Sequence, residues 1–157
     1  MFEFEDEQYF DPTEDGYTHL NAYSKGRTHL GRMLSNFAYS PFVFEPYGKF
    51  NSIEGFYYWF ITGQQHEDLR KLHGSTAKAV GQKYKRVITS FTDEELCIIQ
   101  DAMIAKIVQN EEILQGLKDC KLPIVHYYVY HGKVVQLEAQ HDWFAETLIM
   151  IRDALQE

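Results

Sequence analysis

The strongest structural signal in this sequence is a long helix that begins after Thr92. Thr92 and Glu95 have the spacing of a capping box, and Asp93 and Glu94 fall in the first turn, where the helix dipole favours acids. Apolar residues then recur at helical spacing, at Leu96, Ile99, Met103 and Ile107. The segment 92–107 therefore predicts an amphipathic helix.

Weaker signals predict the other elements. The turn-rich end of residues 1–16 and its apolar residues indicate a segment packed on the surface, with a short strand there as one option, and residues 24–40 resemble loop and turn. Further helices are predicted after Ser52, which would be the N-cap of a helix that Gly63 ends, and over 66–73, 75–86, 110–117 and 142–155. Strands are predicted at 17–23, 41–45, 49–50, 124–130 and just after Gly132.

The order of these elements indicates the fold class. Short strands come first, helices fill the middle, and a hairpin and a last helix follow, without an alternating strand–helix–strand pattern. With 157 residues, 45% hydrophobic, one core is expected. We therefore predict an α+β fold, a single helix-rich domain over 1–157 with short antiparallel strands and an acidic N-terminal extension over 1–16.

The charge balance limits the partners. There are 15 Lys and Arg against 23 Asp and Glu, a formal net charge of -8, which disfavours direct binding to nucleic acid or anionic membranes. Seven of the carboxylates lie in the first fifteen residues, so the remainder is nearly balanced and leaves room for a local phosphate site. No apolar stretch approaches the ~20 residues that span a bilayer.

The metal and redox signals are weak. Cys97 and Cys120 lack CxxC spacing, and two thiols of this kind are typical of a reduced protein in a cytoplasmic compartment. His126 lies in a predicted strand without any zinc-ligand spacing, so a structural role is favoured. We expect no metal and no cofactor, and the sequence leaves the oligomeric state open.

The segment Leu34-Ser35-Asn36-Phe37 places two short polar side chains between apolar ones. Such residues form turns in which the side chain bonds the backbone, and turns of this kind are more common than ligand sites. The alternative is a turn at the mouth of an apolar pocket, with Ser35 and Asn36 directed towards a ligand.

Glu54 follows Ser52 in the first turn of a predicted helix that is rich in aromatic residues. Its simpler role is to complete the helix cap and interact with the helix dipole. The functional alternative is a carboxylate whose pKa is raised by apolar neighbours, as general acid–base chemistry requires. Aromatic residues of the same helix, Trp59 among them, are usually core but could stack on a base.

Lys25, Arg27 and Arg32 lie close together in a loop that contains Gly26 and Gly31. Three bases within eight residues are unusual in so acidic a chain. A loop that binds phosphate through these charges and a solvated loop that balances charge are equally compatible with this pattern.

The ordered motifs together resemble the NADAR (NAD and ADP-ribose associated, YbiA-like) family. The resemblance rests on LSNF at 34–37, Ser40-Pro41, the S-x-E helix start at Ser52 and Glu54, the small-residue segment 73–81, the helix and leucine pair within 93–119, and the closing helix. It covers about residues 18–156. The chain most resembles a short, divergent form that large phages encode, which implies a cytoplasmic protein, in the host cytoplasm if a phage encodes it.

The resemblance implies a cleft for ribose-linked nucleotides, because characterised relatives hydrolyse N-glycosidic bonds without a metal. By position, Ser35, Asn36 and Phe37 would line the cleft and Glu54 would be the catalytic carboxylate. The acidic Trp-Gly-Asp loop that the family has before its last helix is missing here. Asp142 and Trp143 occupy that region, Asp142 as the candidate second catalytic acid and Trp143 as a candidate ligand contact.

Three hypotheses follow. The first is an N-glycosidase that cleaves a small phosphorylated ribosyl nucleotide or an ADP-ribose conjugate, with Glu54 activating water or stabilising charge, Trp59 or Phe37 stacking, and Lys25 or Arg32 on phosphate. The second is a module that binds such NAD-derived or ADP-ribose ligands without turnover. The third is a structural or helper protein that has kept the fold and lost the pocket.

Overall fold

The computed structural model describes residues 10–135 and 143–157 and has an α+β architecture. The helices of this part of the chain are α1 (His29–Leu34), α2 (Ile53–Ile61), α3 (Gly74–Gly81), α4 (Asp93–Val108), α5 (Glu111–Asp119) and α6 (Trp143–Leu155). The strands are β1 (Leu20–Asn21), β2 (Phe42–Phe44), β3 (Gly48–Phe50), β4 (Ile124–Val125), β5 (Tyr128–Tyr130) and β6 (Lys133–Val135). Short 3-10 helices lie at Pro12–Glu14 and Glu67–Lys71.

The strands form three separate pairs. β2 and β3 are an antiparallel hairpin, as are β5 and β6, so a hairpin lies in each predicted region. The single strand predicted over 124–130 is wrong in part, because it is divided into β4, which pairs with β1, and β5, which pairs with β6. β1 and β4 pair in parallel, with Leu20 opposite Ile124. The prediction of antiparallel strands is therefore wrong for this pair, because its two strands are more than a hundred residues apart in sequence and meet only through the tertiary fold.

The capped helices begin where the sequence predicts. α4 begins after Thr92 with both hydrogen bonds of the capping box present. α2 begins after Ser52, whose hydroxyl accepts a hydrogen bond from the Gly55 amide. It ends at Ile61, with Thr62 as its C-cap before Gly63, which has a φ of +103°. These helices are specified locally, because their end groups are satisfied by neighbours in sequence.

One loop prediction and two helix predictions are wrong in part. Residues 24–40 contain α1, whose cap is the Thr28 hydroxyl accepting from the Gly31 amide. The segment predicted as a helix over 66–73 is a 3-10 helix, and α3 begins at Gly74 after His73 and ends at Gly81, five residues before the predicted end. Within residues 1–16, positions 1–9 lie outside the described residues, so the strand suggested there stays a prediction.

The core lies where α2 packs against α3, α4 and the β3 strand. Phe56, Phe50 and Ile53 of this region are fully buried, and the ring of Phe56 lies 5.0 Å from that of Phe50 at 88° between the planes. α5 packs against α1, α4 and α6, which closes the opposite side. Among the described residues, no helix is long and apolar enough to cross a membrane.

Candidate functional site

A cavity of about 620 Å³ opens between α2, α3, the β5–β6 hairpin and the start of α6. The turn that contains Ser35, Asn36 and Phe37 forms one wall, and Glu54 lies beside it. Lys25 belongs to the wall that follows β1. Of the residues that the sequence suggests for a site, the cavity thus brings together Ser35, Asn36, Phe37, Glu54, Lys25 and Trp143.

Main-chain hydrogen bonds fix the turn against two helices. The backbone amide of Glu54 donates to the carbonyl oxygen of Asn36 over 2.9 Å, and the amide of Gly74, at the start of α3, donates to the carbonyl of Phe37 over 2.9 Å. The Ser35 hydroxyl accepts a hydrogen bond of 3.1 Å from the Phe37 amide, which is the side-chain turn that the sequence favours. The same segment is therefore both a side-chain turn and a wall of the cavity.

Lys106 supports this turn from behind. The side chain is 2% exposed, and its Nζ donates a hydrogen bond of 2.9 Å to the carbonyl oxygen of Ser35. Burial lowers the pKa of Lys106 to about 7, because an ammonium group loses its hydration there. Sequence reasoning missed Lys106, although its position four residues after Ala102 and three after Met103 places it on the buried face of α4.

Asn36 carries a polar group without an internal partner. Its Oδ1 atom is buried and has no hydrogen-bond partner among the described residues, whereas buried polar atoms are nearly always paired. Asn36 also lines the cavity. The Oδ1 atom has almost no surface open to the cavity, so a sugar hydroxyl would reach it after a rotation of the Asn36 side chain, and the new bond would remove the cost of the unpaired group.

Glu54 is not needed for the helix cap. Ser52 fulfils that role, since its hydroxyl accepts from the Gly55 amide over 2.9 Å and donates to the Leu72 carbonyl over 2.8 Å. The Glu54 carboxyl lines the cavity instead. Burial raises its pKa to about 7, and the positive charge of Lys78 opposes this rise. A carboxyl with such a pKa can both accept and donate a proton near neutral pH.

The aromatic residues of α2 divide between the cavity and the core. Tyr57 and Tyr58 line the cavity, with ring centroids 5.3 Å apart and planes at 89°. Burial raises the pKa of both, so their hydroxyl groups stay protonated. The hydroxyl of Tyr57 interacts with Arg86 and that of Tyr58 with Gln82. Both tyrosines face the cavity because the 3.6-residue period turns their neighbours towards the core.

Trp59 is one of those core residues, so the sequence-based suggestion that it stacks on a ligand does not match its position. It is 4% exposed, its ring lies 5.1 Å from that of Phe50, and its Nε1 donates to Glu67 over 2.8 Å. The guanidinium of Arg70 lies 4.7 Å from the ring of Trp59. The faces and the edge of the indole are therefore occupied by packing contacts outside the cavity.

The loop that contains Lys25, Arg27 and Arg32 contributes one positive charge to the cavity, from Lys25. Arg32 does not line the cavity, and its Nη1 donates to the carbonyl of Gly26 over 2.9 Å. Arg27 is fixed elsewhere, because its amide donates to Asp15 Oδ2 over 2.9 Å and its guanidinium to the carbonyl of Thr13. The prediction that Arg32 binds a phosphate of the ligand in this cavity therefore does not match its position outside the lining.

The remaining wall comes from the segment around Tyr127. Tyr127 is buried, and its neighbours His126 and Tyr128 line the cavity. His126 Nδ1 donates to the carbonyl of Ala22 over 2.7 Å, so this nitrogen carries a hydrogen. Trp143 completes the wall at the start of α6. Asp142 lies outside the described residues, so its catalytic role stays a prediction.

Sequence reasoning also missed Lys78, Tyr128 and Tyr23 as members of this wall. The rings of Tyr23 and Tyr128 lie 5.4 Å apart and belong to segments more than a hundred residues apart in sequence. No local pattern could have indicated this pairing. Within residues 10–135 and 143–157, no three His, Cys, Asp or Glu side chains form a group suited to a metal ion.

Comparisons with known proteins give no further assignment. No protein-family model matches the chain, and no curated protein matches it either.

Proposed function

We propose that this protein is an N-glycosidase that hydrolyses the bond between a base and the C1′ carbon of a phosphorylated ribosyl or ADP-ribosyl conjugate. The observation that carries the proposal is the Glu54 carboxyl, which lines a cavity of about 620 Å³ beside Asn36 and has a pKa raised to about 7. A shift of this kind, with a physical cause and within a cavity, is typical of acid–base residues.

The chemistry assigns a role to the ionised carboxyl. Cleavage of an N-glycosidic bond builds positive charge at C1′ and on the ring oxygen, which a nearby carboxylate stabilises. The C1′–N bond breaks with its electron pair on the base, and the oxygen of a water molecule bonds to C1′. Glu54 accepts the proton of that water, the leaving base takes up one proton from solvent, and Glu54 then releases its proton to solvent. The products are the free base and a ribose phosphate or ADP-ribose.

Other residues of the cavity suit the two parts of such a ligand. After rotation of its side chain towards the cavity, the unpaired Oδ1 of Asn36 would accept a hydrogen bond from a ribose hydroxyl. Tyr57, Tyr58 and Trp143 offer aromatic surface for a planar base. The proposed site therefore has a polar part beside Glu54 and an aromatic part around it.

The resemblance to the NADAR family supports the same proposal. Its motif residues Ser35, Asn36, Phe37 and Glu54 all line the cavity. We therefore propose a YbiA-like domain in which these residues form the ribose pocket. The free thiols of Cys97 and Cys120 are compatible with a reducing, cytoplasmic location.

A second candidate function is binding of the same ligand without turnover. One observation favours it: Glu54 is the only carboxylate among the described residues that line the cavity. A glycosidase commonly has two carboxyl groups, one on each side of the bond. Asp142 is the candidate for the second, and Asp142→Asn tests it, because loss of turnover with retained binding would assign it a catalytic role.

The decisive experiment is incubation of the purified chain with N-ribosylaminopyrimidine phosphates and with ADP-ribosylated nucleosides, with free base detected by chromatography. Glu54→Gln keeps the size of the side chain and removes its charge, and we expect it to lower the rate at least ~100-fold. Glu111→Gln is the matched control, since Glu111 is exposed and does not line the cavity. Full activity in Glu54→Gln would refute the mechanism.

A further inference from the structure

Lys78 extends from α3 to the cavity wall that also contains Glu54. The sequence places Lys78 in the small-residue segment 73–81, for which helix packing is favoured over ligand contact. The side chain is exposed, so its charge is available to a ligand. Its position next to the proposed ribose pocket makes it a candidate for recognition of an anion.

The packing of α3 fixes the position of Lys78. The Gly74 amide at the start of α3 is bonded to the carbonyl of Phe37. At the other end, a Cβ added to Gly81 would lie 2.3 Å from the Cγ of Tyr58, so the two helices meet without space for a side chain. The backbone of Lys78 is therefore held relative to both the 35–37 turn and α2, which carries Glu54.

The charges of the cavity distinguish Lys78 from the other bases. Lys78 and Lys25 are the only Lys or Arg residues that line the cavity among the described residues. Lys78 is the base whose charge acts on the Glu54 carboxyl. In a 5-phosphoribosyl group, one furanose ring separates C1′ from the phosphate, so the cation for the phosphate must lie near the carboxylate that faces C1′.

We propose that Lys78 binds the 5-phosphate of the ribosyl group whose glycosidic bond faces Glu54, and that it thereby determines specificity for phosphorylated substrates. This inference rests on the proposed function of the cavity. Ribosyl monophosphates and ADP-ribosyl conjugates both carry this phosphate. Lys25, the other base that lines the cavity, would meet the second phosphate of the larger conjugates.

The test is a calorimetric titration of the whole chain with ribose, ribose 5-phosphate and ADP-ribose, none of which requires turnover. We expect ribose 5-phosphate to bind about tenfold or more tightly than ribose, because a charge-assisted contact contributes this much. Lys78→Gln should remove this preference and weaken ADP-ribose binding as well. The phosphorylated sugar that binds more tightly identifies whether the ligand is a ribosyl monophosphate or an ADP-ribosyl conjugate.

Two control variants isolate the role of Lys78. Lys83→Gln removes an exposed charge that does not line the cavity, and it should keep the phosphate preference. Lys25→Gln removes the other base of the cavity and should weaken ADP-ribose binding more than ribose 5-phosphate binding. An unchanged preference in Lys78→Gln, or no preference in the unmodified chain, would overturn the inference.

The two proposals fail separately. If ribose 5-phosphate binding depends on Lys78 but no free base is released, the phosphate site is supported and the hydrolase is refuted. If free base is released and Lys78→Gln keeps its preference for phosphorylated substrates, the hydrolase is supported and the phosphate site at Lys78 is refuted. In an active enzyme, Lys78→Gln should raise KM for phosphorylated substrates more than it lowers kcat, because a phosphate contact is made in both ground and transition states.

Discussion

The backbone amide of Glu54 donates a hydrogen bond of 2.9 Å to the backbone carbonyl of Asn36. This bond joins the first turn of α2 to the turn that carries Ser35 and Phe37, and it places two side chains of different chemistry at one cavity. Because the contact is between main-chain atoms, substitution of either side chain leaves it intact. The role of each side chain can therefore be tested without disturbing the connection.

The stability of the protein should depend on pH through Glu54. Its pKa is about 7 in the folded chain against 4.5 when unfolded, so folding takes up a proton between these values and stability falls as pH rises from 4.5 to 7. Glu54→Gln removes this loss, and we expect the variant to be more stable than the unmodified chain at pH 8 by up to ~3 kcal/mol. Urea unfolding at pH 5 and pH 8 measures the difference, and an equal difference at both pH values would contradict the assignment.

Lys106 should give the opposite dependence at higher pH. Its pKa is about 7 when folded and 10.5 when unfolded, so folding releases a proton between these values and stability rises with pH across that window. Lys106→Met lacks this dependence. From pH 7 to pH 10, the free energy of unfolding should therefore increase by a few kcal/mol more in the unmodified chain than in the variant. Parallel curves for the two proteins would show that Lys106 titrates normally.

The rate of base release should follow the ionisation of Glu54. Because the proposed mechanism uses the carboxylate, kcat/KM should increase as pH rises through about 7 and then level off. Lys78 lowers the pKa of Glu54, so Lys78→Gln should move this rise to higher pH. Lys83→Gln should leave the profile unchanged. A rate that falls through this range would mean that the protonated carboxyl is the active form.

Gly81→Ala should disturb the cavity through packing. The added methyl group would lie 2.3 Å from the Cγ of Tyr58, so α3 and α2 must separate or Tyr58 must move. We expect a loss of ~1–3 kcal/mol in the free energy of unfolding and weaker binding of ribose 5-phosphate. Thr76→Ala, at an exposed position of α3, should not lower stability, since alanine favours helices. Thermal unfolding and calorimetry distinguish the two variants.

Asn21→Asp should weaken the wall that contains His126 and Tyr128. The Asn21 amide donates to the Tyr127 carbonyl over 3.0 Å and accepts from the Tyr127 amide over 3.0 Å, and Asn21 is buried. A carboxylate there cannot donate, so we expect a loss of ~1–3 kcal/mol. In Asn51→Asp the bond lost is the one that Asn51 donates to the Lys71 carbonyl at the surface, and the loss should be smaller. Equal losses would contradict the importance of the buried pairing.

The sequence indicated the elements whose signals are local. The Thr92–Glu95 capping box, the Ser52 cap of α2 and both hairpins were predicted because each depends on residues a few positions apart. The missed helix α1 has a local cap at Thr28, but Gly26 and Gly31 suggested breaks and therefore a loop. Gly31 is in fact packed against the carbonyl of Asn21, which a Cβ would approach to 2.4 Å.

The candidate site was predicted in part. Ser35, Asn36, Phe37 and Glu54 were identified by their motifs and do line one cavity, whereas Trp59 and Arg32 do not. The motifs show which side chains have suitable chemistry. They do not show which face of a helix lies towards the cavity. This orientation decides that Tyr57 and Tyr58 face the cavity while Trp59 faces Phe50.

The sequence by itself determined the α+β class, the capped helices, the hairpins and the polar turn beside an acidic helix start. Only the tertiary structure decided the parallel pairing of β1 with β4, the buried Lys106 beneath Ser35 and the presence of Lys78 beside Glu54. The physical reason is the range of the interactions. Caps and turns are satisfied within a few residues, whereas burial, and with it the pKa values of Glu54 and Lys106, depends on which distant segments exclude water from each group.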